Sequence, residues 1–263
     1  MSLSIIGNGF IGGFVSNKLN FLGIKHFLYT SKSFNLCDEN TWKSLSTKTT
    51  QVFIAAGSMS SDENELQSVN HRPIKLLCKY LEDIGVKKVV FLSSGAVYGD
   101  YPYDTHPVIE CKPSSIYGLS KLNAENSLLS SWGGALNIVR LYFTYGPHQK
   151  KPRLIPNLID RIQKKEPILI NNDGGPKITL NHVDDVSQHL INTFIVNNHE
   201  TIIQNLASPF NISIKDLATQ LATYIGTKPI FKFNNINEPN HTSLPFPDMW
   251  PKSGLLEDIF HAL

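Results

Sequence analysis

Cysteine is scarce in this chain, and that scarcity already excludes several kinds of protein. Cys37, Cys78 and Cys111 are the only three in 263 residues, too few and too far apart for a zinc ribbon. Their odd number, with no signal peptide at the start, predicts reduced thiols in a cytoplasmic protein. The nine histidines include no His-x-x-x-His or similar ligand pair, so no metal site is expected. No apolar run approaches the roughly 20 residues that span a bilayer. An excess of one charge is missing too. Twenty-four basic and 22 acidic residues leave a formal charge of +2, which gives no argument for nucleic acid or a membrane surface as partner. There is no internal repeat or low-complexity tract. The length suits one large α/β domain, or a domain with a smaller lobe.

What is present begins at once. Ser2-Leu3-Ser4-Ile5-Ile6 reads as a short buried strand and runs into Gly7-Asn8-Gly9-Phe10-Ile11-Gly12. Phe14, Val15 and Leu19 then recur at helical spacing. A G-x-G-x-x-G between a strand and a helix is the context in which the motif binds a dinucleotide. Gly7 permits the tight turn, Gly9 lets backbone approach a pyrophosphate, and Gly12 lets helix and strand pack closely. The N–H groups of the helix start, around Phe10 and Ile11, face the anion.

Further strands are expected at 26–29, 52–57, 89–92 and 136–141, with a helix over 69–84 ended by Gly85. Asp184-Asp185-Val186 opens another helix to about Val196, and 202–206 reads as a strand returning to the sheet. Strands alternating with helices predict an α/β fold, a Rossmann-like doubly wound parallel sheet with ligands at the carboxyl ends of the strands. Gly7, Ala55, Ser94 and Tyr142 stand at such ends. From about residue 147 prolines crowd the chain, at 147, 152, 156, 167 and 176. The expected organisation is a dinucleotide-binding domain over 1–147, with 179–207 returning to it, and a small C-terminal substrate lobe over 148–263, mainly 148–178 and 208–263. Ser213 with Asp216 predicts a capped helix through Leu217, Leu221 and Ile225. The proline-rich 238–251 stretch predicts irregular backbone.

The segment Ser115-Ile116-Tyr117-Gly118-Leu119-Ser120-Lys121 carries the clearest chemical signal. Residues four apart share one helix face, so Tyr117 and Lys121 lie side by side. A neighbouring ammonium favours phenolate over phenol and makes the hydroxyl a usable proton carrier.

Taken in order, these motifs resemble the extended short-chain dehydrogenases/reductases, the group of NAD(P)-dependent nucleotide-sugar epimerases, dehydratases and keto reductases. The likeness runs from Gly7 to about Leu206. It is carried by the glycine loop, Ala55-Ala56-Gly57, Asn70, Ser-Ser-Gly-Ala-Val-Tyr-Gly (93–99), Tyr117 with Lys121, Tyr-Gly-Pro (145–147) and His-Val-Asp-Asp (182–185). The resemblance implies a catalytic trio of Ser94, Tyr117 and Lys121. In it Ser94 bonds the substrate carbonyl oxygen, Tyr117 moves the proton, and Lys121 lowers the phenol's pKa while holding a cofactor ribose. It also implies cofactor contacts from Gly7, Gly9, Phe10, Ile11, Gly12, Ala55, Ala56, Gly57, Asn70, Ser93, Tyr142 and Phe143. Substrate contacts are implied for Ala96, Arg153, Lys177 and His182. Relatives often dimerise through the helices around 70–84 and 113–131, so a homodimer is a family expectation.

Departures from the family pattern narrow the reading. NAD sites usually carry an acid after the second strand; here Thr30-Ser31-Lys32 stand there, two hydroxyls and an ammonium suited to a 2′-phosphate. NADP(H) is therefore expected, with NAD(H) the alternative, and Asp38 is expected near the adenine. Family dehydratases carry an Asp-Glu pair after the catalytic hydroxyl, where this chain has Gly95-Ala96. Phe143 replaces an asparagine common in nucleotide-diphosphate binders, and Ile178 replaces an expected arginine. The leading expectation is an NADPH-dependent reductase of a keto group, with a nucleotide-linked sugar as substrate. The alternatives are a nucleotide-sugar 4-epimerase and a non-catalytic NADP-binding sensor or scaffold.

Overall fold

A computed structural model describes residues 2–99, 109–171, 174, 177–196, 200–208 and 211–234, with backbone alone at 104–105 and 244–245. The chain forms two compact units. The first comprises Met1–Gly99, Pro107–Leu141 and Val183–Leu206; the second comprises Asp100–His106, Tyr142–His182 and Ala207–Leu263. The boundary expected at residue 147 thus falls at Tyr142, and 179–182 go with the second unit.

The first unit contains β1 (Leu3–Ile6), α1 (Phe10–Phe21), β2 (His26–Tyr29), β3 (Gln51–Ile54), α2 (Glu63–Asn70), α3 (Ile74–Asp83), β4 (Lys88–Ser94), α4 (Ile116–Ser131), β5 (Ala135–Leu141), α5 (Val183–Ile195) and β6 (Thr201–Leu206). The six strands pair in parallel in the order β6-β5-β4-β3-β1-β2. Central strands β1 and β3 are buried at every position, as a sheet covered on both faces requires. Ile54, Phe91 and Ile138 pack with Leu77 and Leu81 of α3 and Leu128 of α4. On the opposite face Phe53 meets Phe194 of α5, their rings 5.4 Å apart. From β1 the chain steps outward to β2 and then crosses to β3 on the other side. The carboxyl ends of β1 and β3 therefore flank the crevice where such sheets bind ligands.

The helix expected over 69–84 is two helices. Pro73 has no N–H to donate and disfavours helical backbone just before it, so α2 ends at Asn70 and α3 begins at Ile74. Gly85, at φ +85°, terminates α3 as expected.

In the second unit the helix Leu154–Gln163 and the helix Ile214–Ile225 bury Ile155, Leu158, Ile162, Leu217 and Leu221 against Ile168, Ile170, Ile178 and Ile212. Ser213 caps the second helix as predicted, its hydroxyl accepting the Asp216 N–H at 3.0 Å. The strand Lys177–Thr179 pairs antiparallel with Asn211–Ser213, and Asn181–His182 pairs parallel with Thr144–Tyr145. The 238–251 stretch falls outside the described residues except for the backbone at 244–245.

Lys88 opens β4 almost wholly buried. Its Nζ donates to the Thr193 carbonyl at 2.6 Å and the Val196 carbonyl at 2.7 Å, at the end of α5, where a helix leaves carbonyls without partners of its own. Burial holds this ammonium below its ordinary pKa. Lys88→Met is expected to cost about 1–3 kcal/mol by stranding both carbonyls. Urea unfolding measures this, and an unchanged midpoint would show that the bonds contribute nothing.

Candidate active site

The glycine loop is built as its spacing predicts. Gly7 has φ +112°, and a Cβ there would lie 2.6 Å from the Ala56 nitrogen, so β1 and β3 approach each other through bare backbone. A methyl at Gly12 would be driven into the Gly7 carbonyl, whereas one at Gly9 would meet nothing within 4 Å. Gly9 is the N-cap of α1, with no side-chain cap and no acid in the first turn. The leading N–H groups, around Phe10 and Ile11, are thus left uncapped by side chains, and the space a Gly9 side chain would occupy is open. That fits a pyrophosphate, whose charge the positive helix end favours.

Next to this loop, Asn70 is buried in α2. Its amide accepts from Ser58 N at 2.8 Å and donates to Ser58 O and to Ser120 Oγ, both at 3.0 Å. Ser120 in turn donates to the Tyr117 carbonyl at 2.8 Å. Asn70 therefore ties the Gly57–Ser58 backbone to the first turns of α4, with both amide protons engaged in doing so. Ser93 is likewise turned inward, its hydroxyl donating to Glu125. Asp38 caps the short 3-10 turn Glu39–Ser44, accepting from Asn40 N at 3.1 Å. At the carboxyl end of β2, Thr30 Oγ1 accepts the Lys32 N–H at 3.3 Å. Ser31 and Lys32 are exposed, and Lys32 has no ion-pair partner among the described residues.

The proposed trio comes from two neighbouring elements. Ser94 ends β4, and its Oγ accepts the Ala96 N–H at 3.2 Å, capping the 3-10 turn Gly95–Tyr98. That leaves the hydroxyl proton available to another acceptor. Tyr117 lies in the first turn of α4, which Ser115 caps through a 3.0 Å bond from Gly118 N. Any side chain at Gly118 would collide with the Ala96 carbonyl, so the turn bearing Ser94 and the helix start bearing Tyr117 are in direct contact. Lys121 Nζ donates to the Leu92 carbonyl at 3.0 Å and stands 4.9 Å from the centre of the Phe91 ring. A Cβ at Gly57 would lie 3.2 Å from the same Nζ. Residues from β3, β4, α2 and α4 therefore meet around one ammonium.

Lys121 is 5 % exposed. Burial draws its pKa down from 10.5 to about 8, and the Glu125 carboxylate partly offsets the fall. The group is still mainly charged at neutral pH.

Sequence reasoning did not single out Glu125 or Arg140, which are buried together beside the trio. Arg140 Nη2 bonds Glu125 Oε2 at 2.7 Å, and Arg140 Nη1 donates to the Tyr98 hydroxyl at 2.8 Å. Two signals were present in the chain. Glu125 follows Lys121 by one helical step on the same face, and Arg140 is a charge inside an otherwise apolar strand. Tyr142, Phe143, Arg153, Lys177 and His182 all belong to the second unit. There the His182 ring meets Tyr145 edge-on at 5.2 Å, the Phe143 carbonyl accepts the Asn181 N–H at 2.8 Å, and Arg153 and Lys177 are exposed.

Residues 5–205 match the NAD dependent epimerase/dehydratase family. The chain belongs to that family. Among known relatives, it is 29 % identical over 169 residues to the UDP-glucuronate 4-epimerase of Thermodesulfobacterium geofontis, covering 62 % of this chain and 51 % of that protein. It is 27 % identical over 167 residues to the dTDP-D-glucose 4,6-dehydratase of Mus musculus, covering 61 % and 46 %. These matches span about half the relatives' own length. Among solved structures, MoeE5 in complex with UDP-glucuronic acid and NAD superposes with a TM-score of 0.85 at 22 % identity, covering 99 % of this chain and 97 % of that one. The UDP-glucose 4-epimerase of Thermus thermophilus, in complex with NAD, gives 0.85 at 21 %, covering 100 % and 97 %. At that identity the likeness establishes the fold. Among the described residues no helix is long and apolar enough to cross a membrane.

The glycine loop and the buried ammonium each carry a test. Gly9→Ala should fold with unchanged stability yet weaken NAD and NADP binding at least about tenfold (roughly 1.4 kcal/mol), while Gly12→Ala should destabilise the protein. Calorimetric titration and melting curves check both; full-strength binding by Gly9→Ala would mean the open space is not a cofactor site. The second test concerns pH. Because folding lowers the Lys121 pKa, the unfolded chain binds more protons between about 8 and 10.5, so this group's contribution to stability rises with pH across that window. Below it, Lys121 costs on the order of 3 kcal/mol. The stability advantage of Lys121→Met over wild type should shrink between pH 7.5 and 10 in paired urea titrations; parallel curves would refute the buried charge.

Proposed function

We propose that this protein is a nucleotide-sugar epimerase that inverts a sugar carbon by transient oxidation at the Ser94, Tyr117 and Lys121 site. The observation that carries the reading is the direct contact of the Ser94 turn with the Tyr117 helix start beside a buried lysine. When bound, the nicotinamide would accept a hydride from the sugar carbon and later return it. Tyr117 takes the proton from the sugar hydroxyl as the carbon is oxidised and gives it back on reduction, acting as base and then acid. Ser94 donates its hydroxyl to the keto oxygen formed in between and stabilises charge there. Lys121 keeps the phenol's ionised form within reach at neutral pH.

Water elimination is a poor fit, because Gly95 and Ala96 offer no titratable group after the catalytic serine. The relatives' names include epimerases as well as dehydratases, and this favours epimerisation over the net reduction expected from the sequence alone. A reductase is the second reading, supported by one feature: the end of β2 carries Thr30, Ser31 and Lys32 and no carboxylate. Those groups support acceptance of a 2′-phosphate, hence NADP(H), whereas the solved relatives hold NAD.

UDP-glucose and UDP-glucuronic acid, incubated with cofactor-loaded protein, test the proposal by NMR of the products. Epimerisation should proceed without net change in the 340 nm absorbance, and Tyr117→Phe should lower kcat at least about a thousandfold, some 4 kcal/mol. Net consumption of NADPH with a keto substrate would replace this reading by the reductase. Turnover unaffected in Tyr117→Phe would remove both. Titration with NAD and NADP, in wild type and Lys32→Glu, tests the cofactor: NADP should bind wild type at least as well as NAD and lose that standing in the variant. Clearly tighter NAD binding in both would overturn the role of Lys32.

A further inference from the structure

The turn that carries Ser94 is held at both ends by one buried ion pair. At its near end the Ser93 hydroxyl donates to Glu125 Oε1. At its far end the Tyr98 hydroxyl accepts from Arg140 Nη1 at 2.8 Å and donates to Asn205 Oδ1 at 2.8 Å. Between them Arg140 grips Glu125 with Nε at 3.2 Å from both carboxylate oxygens and Nη2 at 2.7 Å from Oε2. The guanidinium also stands 4.9 Å from the centre of the Tyr98 ring. Relative exposures are 1 % for Glu125, 4 % for Arg140 and 0 % for Tyr98. Among the described residues these groups supply hydrogen bonds to one another almost out of reach of water, where such a network is electrostatically strong.

Position along α4 gives this pair a bearing on the chemistry. Tyr117, Lys121 and Glu125 are successive i, i+4 neighbours on one helix. Glu125 therefore joins the helix that presents the phenol and ammonium to the strand end that presents the serine hydroxyl. Arg140 fixes Glu125 from the adjacent strand β5 and secures the far end of the turn through Tyr98. Burial alone would lower the Arg140 pKa, but its bonds to Glu125 and Tyr98 more than offset this and leave it permanently charged.

We propose that Glu125 and Arg140 are positioning residues, a buried clamp that fixes the Ser94 turn against the Tyr117–Lys121 helix at the spacing proton transfer requires. This rests on the catalytic reading of the trio. A displacement of about 1 Å at such a site costs on the order of a hundredfold in rate while leaving ground-state binding largely intact. A pair that merely stabilised the fold would change melting temperature and leave kcat of the folded enzyme alone.

The test compares wild type, Glu125→Gln, which keeps the shape and loses the charge, and the double variant Glu125→Leu/Arg140→Met, which replaces the ion pair by apolar groups without stranding either charge. Hydrogen exchange of peptides covering 93–99 reads the clamp without needing a substrate. Exchange there should quicken at least about tenfold in both variants, with the 74–83 and 154–163 peptides unchanged. With UDP-glucose and UDP-glucuronic acid as probes, kcat should fall at least about tenfold while KM stays within about twofold. Unchanged exchange at 93–99, uniform acceleration across all three peptides, or wild-type kcat in the folded double variant would each overturn the proposal. If Tyr117→Phe retains activity while the local exchange effect stands, the catalytic reading fails and the clamp survives as a structural fact.

Discussion

The Nζ of Lys121 lies nearly out of water against the Leu92 carbonyl, and much of the first unit is arranged around keeping a charge there. An isolated buried ammonium would simply give up its proton. Here the Phe91 ring lies 4.9 Å away, and the Glu125 carboxylate, one helical step along, holds the proton on against the pull of burial. Glu125 must itself be answered, and Arg140 does so from β5. A Cβ at residue 57 would lie 3.1 Å from Asn70 Oδ1 and 3.2 Å from the ammonium, so a side chain there would press on both groups. A single charge at the ends of β3 and β4 thus accounts for residues on two strands and two helices.

The two units differ in how they hold their polar residues. In the first, buried polar groups are linked in chains: Asn70 to Ser120 to the Tyr117 carbonyl, and Ser93 to Glu125 to Arg140 to Tyr98 to Asn205. Such chains fix geometry, because moving one member breaks bonds at the next. In the second unit an aliphatic core around Ile155, Leu158, Ile170, Ile178 and Leu221 stands beside a shorter set of buried bonds, from Asn181 to the Phe143 carbonyl and from Ser208 N to Asn181. Ile178, where the family resemblance led to the expectation of an arginine, is 1 % exposed and packed into that core. The substitution therefore serves packing, and no cation is offered from that position.

The fold of the first unit was largely legible in the chain, because each cue was local. Ile5-Ile6 before Gly7, the uncapped start at Gly9 and the phenol–lysine spacing are settled by neighbours a few residues away. Pro73 divided a helix that apolar spacing alone ran together, since periodicity registers burial and is blind to a missing N–H. The places of Ser94, Tyr117 and Lys121, at a strand end and on one helix face, were readable for the same local reason. Glu125 and Arg140 were harder: a carboxylate at a helical step from a lysine reads as a surface pair until β5 is known to lie against α4. Ser93 and Asn70 look like cofactor contacts in sequence, yet their side chains point inward, a matter of which way an alternating strand or helix faces.

The first unit is threaded from three separated stretches of chain, and the last of them supplies β6 and α5. Until Val183–Leu206 has been made, β5 has an open edge and the Phe53 face of the sheet lacks Phe194. During synthesis the nascent sheet must therefore wait, partly uncovered, while more than forty residues of the other unit emerge. A chain interrupted anywhere in that interval would hold an intact glycine loop and lysine helix yet expose apolar surface along a bare strand, the kind of species that associates with its own kind before it can fold.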